Sequence, residues 1–160
     1  GGEMSQVVKY VRLFDGEKVM DVPGEEMAFR YRHSLAMDMG GLILGAAFRL
    51  EKGEQAEIEE KMRDFAKRRR DKQPLEYPSA GSFFKRPTGY FAGALIEQSQ
   101  LKGVSVGGAQ VSEKHAGFLI NTGNATAADF LQLMKLVQDT VMEKFGVQME
   151  NEVRIVGNDP

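Results

Sequence analysis

Pro74 and Pro78 close off regular structure across residues 71–80. Each proline fixes its own φ and removes a backbone donor, so neither a helix nor a central strand runs through this stretch. Before it, strand-like runs lead into a single helix; after it, helices and short strands mix. An α+β chain of two lobes is the arrangement that fits. The bounds are 1–53 for the first lobe, 54–74 for a connecting helix and 75–160 for the second. A length of 160 residues suits one ordinary domain or two small lobes.

Within the first lobe, VVKYVRLF and EKVMDV predict a hairpin over residues 7–22, joined by a two-residue Asp15-Gly16 turn. PGEEM (23–27) predicts a short helical turn. LILGAAFRL (42–50) predicts a strand buried on at least one face. Gly40, Gly41 and Gly45 point to a bulge or close backbone approach beside it. The spacing of Ile58, Met62, Phe65 and Ala66 predicts a helix over 54–70, acidic early and basic late, as the helix dipole favours.

In the second lobe a helix is expected from about Thr88 through YFAGALIEQS, then strands near 103–106 and 116–121 around a Gly107-Gly108 turn. The longest helix is expected over 127–145. Thr126 and Asp129 form its capping box and Gly146 its C-cap. NEVRIVG predicts a terminal strand.

Composition removes several classes of function. The chain has no cysteine, so disulfide scaffolds, thiolate metal sites and thiol nucleophiles are excluded. Two histidines, His33 and His115, cannot make a histidine-rich metal site. A hydrophobic fraction of 42% supports a real core, and a net charge of −2 gives no general pull towards nucleic acid. No apolar run reaches the roughly 20 residues of a membrane span, and GGEMSQVVKY is not a targeting segment. These features together predict a cytoplasmic protein.

Four local motifs each carry two readings. In PSAGSFFKRP, Gly81 can place Ser82 on a tight, exposed bend, or Ser82 can be a turn residue beside a core Phe pair. The motif is not the nucleophile elbow G-x-S-x-G. Glu152 and Arg154 alternate with Val153 and Ile155, giving either a surface ion pair or a carboxylate–guanidinium pair lining a cleft. Arg32, in YRHS, can grip a carboxylate or phosphate bidentately, or be a solvated strand-end arginine. The basic run Lys67–Lys72 is a solvated helix end or a nucleic-acid patch.

Taken in order, FRYRHS, KQPLEYPSAGSFFKRP, LIEQSQLKGVSVGGAQVSEKHAGFLIN, NATAADFLQLM and ENEVRIVG closely resemble the UDP-N-acetylenolpyruvoylglucosamine reductases, the MurB family. The resemblance covers essentially the whole chain, and LEYPSAGSFFKRP looks like the type II branch. It implies NADPH-driven, FAD-dependent reduction of UDP-N-acetylglucosamine enolpyruvate to UDP-N-acetylmuramate for peptidoglycan. It further implies Ser82 as proton donor to C2, with Arg32 and Glu152 at the substrate carboxylate. By the same resemblance Lys72, Lys85, Arg86, His115 and Arg154 are substrate-binding candidates, and no metal is implied.

The family's glycine-rich flavin segments have no counterpart here, except that Gly1-Gly2-Glu3 looks like the tail of one. The expectation is therefore a C-terminal half. Residues 1–53 would be the end of the FAD-binding lobe and 75–160 the substrate-binding domain. The partner would be the N-terminal FAD lobe, and the flavin-binding residues of this chain stay unassigned. A non-catalytic UDP-sugar binding module is the alternative.

Overall fold

A computed structural model describes residues 2–157, so Gly1 of the Gly1-Gly2-Glu3 start lies outside the described residues. The chain divides into two compact units, one ending at Ile58 and the other starting at Glu59.

In the first unit, α1 (Met4–Val7) precedes β1 (Val8–Phe14) and β2 (Val19–Pro23). A 3₁₀ turn (Gly24–Met27), α2 (Leu35–Asp38) and β3 (Leu42–Phe48) follow. The three strands form an antiparallel sheet in the order β2-β1-β3. Val11 and Leu13 of β1 point into a small core with Val22, Met27 and Ala36. The short helices thus close one face of the sheet.

Two expectations for this unit are corrected. The hairpin turn is not a two-residue Asp15-Gly16 turn, because Phe14 pairs with Val19 and leaves a four-residue loop. The Asp15 carboxylate takes the N–H groups of Glu17 and Lys18, both at 2.9 Å, and that Asx-type cap favours the longer loop. Nor is β3 buried on a face: Leu42, Ile43, Leu44 and Phe48 are all exposed. It lies at the sheet edge, away from the core on β1 and β2. Its pairing also jumps from Arg12↔Gly45 to Leu13↔Ile43, skipping Leu44, so a bulge breaks the alternation. That bulge is the one expected beside Gly45.

α3 (Gln55–Lys72) starts close to where the spacing places it, but none of its residues is buried. Its expected stripe of Ile58, Met62 and Phe65 is exposed. Arg63, Lys67 and Arg68 of its basic half pair with Glu59, Asp71 and Asp64 one turn away.

The second unit contains β4 (Ser79–Ser82), α4 (Ala92–Gln98), β5 (Ser105–Val106), β6 (Ala109–Val111), β7 (Phe118–Asn121) and α5 (Ala127–Phe145). Its antiparallel sheet runs β4-β7-β6-β5. Leu133, Val137 and Val141 line one stripe of α5 and pack with Leu95, Ile96, Val111, Leu119 and the Phe83–Phe84 pair. The α5 caps stand as read. Thr126 accepts the Asp129 N–H, Asp129 accepts the Thr126 N–H, and Gly146 is left-handed at φ +66°.

Three more readings are corrected here. α4 starts at Ala92 rather than Thr88, because Pro87 to Tyr90 forms a turn closed by the Tyr90 N–H. β4 and β6 are strands that the sequence did not announce. NEVRIVG is not a terminal strand: it makes one bridge, Asn151 to Phe84, then bends away, and Ile155 and Val156 are exposed. The partner backbone is available only at Phe83–Lys85, because Arg86 onwards turns away through Pro87.

Candidate active site

Ser82 ends β4. Ser79 pairs with Ile120 and Ser82 with Phe118, so the segment from Ser79 to Ser82 is one residue longer than its partner segment. Gly81 absorbs the surplus at φ +85°, a bulge residue in the left-handed region. The bulge leaves Ser82 exposed while both Phe83 and Phe84 turn inward, their ring centroids 5.4 Å apart. The motif therefore combines a core Phe pair with a serine exposed at the strand end.

Phe83 is the node of the second unit. Its N–H donates to the Gly117 carbonyl at 2.9 Å, and its carbonyl accepts the Glu152 N–H at 2.9 Å. Three chain segments meet there, bearing Ser82, His115 and Glu152. His115 accepts the Gly117 N–H on Nδ1 at 3.1 Å and packs edge-on to Phe118. In the neutral ring the proton then sits on Nε2 as a donor. Neither Gly93 nor Gly117 has a Cβ to crowd the ring; one at Gly117 would lie 3.1 Å from His115 Cε1.

The other candidates of this unit are spread out. Lys85 donates through its N–H to the Glu150 carbonyl at 2.8 Å, and its ammonium pairs with the Glu150 carboxylate at 3.0 Å. Arg86 folds into its own loop, with Nε donating to the Tyr90 carbonyl at 3.2 Å and the guanidinium 3.9 Å over the Phe91 ring. Lys72 is the exposed last residue of α3. Arg154 is exposed beyond the bridge.

Arg32 belongs to the first unit. Arg30 and His33 exchange both backbone hydrogen bonds, at 3.1 and 3.0 Å, around a two-residue Tyr31-Arg32 turn. Arg32 sits there at φ +54°, a conformation costing on the order of 1 kcal/mol or more in a residue other than glycine. Its guanidinium lies 5.0 Å from the Tyr31 ring centroid. His33 Nε2 meets the Asp38 carboxylate at 2.9 Å, a support that the sequence signalled only by proximity. The turn forms one wall of an open hollow of about 520 Å³, whose far wall is Gly2 to Ser5.

Beside this hollow α1 is a single turn, and the N–H of its N-cap Glu3 donates to Gln6 Oε1 at 3.0 Å. Among the described residues no group of three or more His, Cys, Asp or Glu is arranged to hold a metal. No helix among them is long and apolar enough to cross a membrane.

The second unit is thus an α+β domain in which the segments bearing Ser82, His115 and Glu152 meet at the bulged edge of an antiparallel sheet. A family model described as UDP-N-acetylenolpyruvoylglucosamine reductase, C-terminal domain, matches residues 73–156, and the chain belongs to this family. The UDP-N-acetylenolpyruvoylglucosamine reductase of Caldanaerobacter subterraneus subsp. tengcongensis is 51% identical over 158 residues, covering 98% of this chain and 52% of that protein. That of Clostridium perfringens is 52% identical over 159 residues, again 52% of its length. The crystal structure of the Thermus caldophilus reductase, MurB, superimposes with a TM-score of 0.79 at 32% identity, over 94% of this chain and 54% of that one. The chain spans about half the length of the curated relatives it matches.

Proposed function

We propose that this chain is the catalytic C-terminal half of a reductase that converts UDP-N-acetylglucosamine enolpyruvate to UDP-N-acetylmuramate for peptidoglycan, in the cytoplasm. The observation that carries the reading is the Phe83 node, which gathers the segments of Ser82, His115 and Glu152. When bound by an N-terminal lobe and reduced by NADPH, FAD would supply the hydride for C3 of the enolpyruvyl group. This chain's residues manage the charge and the proton.

Hydride addition at C3 spreads negative charge over C2 and the carboxylate, as an enolate. In this reading Arg32 offers its guanidinium to that charge, an interaction that gains most in a water-poor site. Glu152 is assigned to the same carboxylate. Ser82 passes its hydroxyl proton to C2, which completes the saturated lactyl ether. A serine hydroxyl is a weak acid, plausible opposite so basic a carbon and aided by a nearby cation. Lys72 or Lys85 would be that cation. Arg86, His115 and Arg154 are substrate contacts in this reading.

Two measurements test it. In the full-length enzyme, Ser82→Ala is expected to slow reduction of the enolpyruvyl sugar by on the order of 10²-fold or more. NADPH-to-FAD hydride transfer stays near normal; an equal fall in both half-reactions refutes the proton-donor role. The 160-residue chain alone is expected to purify colourless, without turnover. Titration calorimetry with the UDP-sugar separates the two readings. Tight binding by this chain alone favours a stand-alone binding module, and no binding favours a catalytic half.

A further inference from the structure

The segment bearing Glu152 has no strand ladder of its own. It is held by the Phe84–Asn151 bridge and by backbone bonds from Lys85 to Glu150 and from Glu152 to Phe83. The Lys85–Glu150 ion pair is exposed and contributes little. A separate tether comes from α5. The half-buried Gln138 side chain donates from Nε2 to the Met149 carbonyl at 2.8 Å and to Asn151 Oδ1 at 3.2 Å. Val137 and Val141, next to Gln138 on the helix, are fully buried, so this amide is anchored to the core. Met149 is buried as well, and Asn151 directly precedes Glu152.

We infer that Gln138 is a positioning residue for Glu152, fixing residues 149–151 so that the carboxyl meets the charge developing on the substrate. The inference rests on the proposed role of Glu152. Gln138 touches no reacting atom and acts only through the segment it holds. Such a contact matters most in the transition state, where a misplacement of about 1 Å costs up to ~10²-fold.

The test uses the full-length, flavin-loaded enzyme carrying Gln138→Met, which keeps side-chain length and removes both donors. Rapid mixing separates flavin bleaching by NADPH from flavin reoxidation by the enolpyruvyl UDP-sugar. Reoxidation is expected to slow about tenfold with bleaching unchanged. In a Glu152→Ala background the same change is expected to slow it by less than about twofold, because the two residues act as one unit. Equal slowing in both backgrounds, equal loss of bleaching, or no slowing overturns the inference. If Gln138→Met does not fold, Asn151→Leu removes one acceptor and is read the same way: a smaller slowing that vanishes with Glu152→Ala supports the inference, and any other result overturns it. A parent enzyme that never reduces the UDP-sugar refutes the proposed function instead, so the two failures are told apart.

Discussion

A Cβ at Gly81 would meet nothing within 4 Å, yet the residue sits at φ +85°. Space is therefore not the constraint on this position; conformation is. Gly81→Ala is expected to cost about 1–2 kcal/mol, the ordinary penalty for a left-handed L-residue. It should lower the urea midpoint and slow sugar reduction more than flavin reduction, because the bulge aims Ser82. Gly108 is the opposite case, since a Cβ there would stand 2.3 Å from the Gly123 carbonyl oxygen. At this scale the sequence was informative about Ser82, whose bend is encoded by the glycine beside it. It was poor for Glu152. Its β-branched neighbours describe a strand, but only a three-residue length of partner backbone is there to receive one. Gln138 left no local signal, because its bonds reach 11 and 13 residues along the chain.

Among the elements, α5 was read most closely because its ends are set locally. The capping box satisfies two backbone donors that the helix itself leaves open. Thr126→Ala is expected to lower stability by about 1 kcal/mol in denaturant unfolding. Asp129 adds a pH signature. The Thr126 N–H at 2.8 Å holds its carboxyl below the usual aspartate value, so the unfolded chain takes up this proton first as pH falls. Its contribution is complete above about pH 4 and is lost as pH drops through the lower folded value. Asp129→Asn should flatten that part of the acid-unfolding profile, checked by unfolding midpoints between neutral and acid pH. By contrast β4 and β6 span four and three residues, too few for any period to register. α3 shows the converse. Its spacing was right, but spacing announces an apolar stripe and not what covers it.

For the molecule as a whole, length allows one domain or two small lobes, and the chain forms two units with separate cores. The motif order across both, rather than any one element, is what tied the chain to its family. The edge position of β3 has a consequence for anyone handling the protein. A strand unpaired on one side among the described residues, with Leu42, Ile43, Leu44 and Phe48 exposed, is a template for adding identical strands from other molecules. The purified 160-residue chain is expected to self-associate as its concentration rises. Leu44→Lys, a charge placed at the bulge, should suppress this in static light scattering without shifting the unfolding midpoint by more than about 0.5 kcal/mol equivalent. Association that the lysine leaves unchanged would show that it runs through another surface.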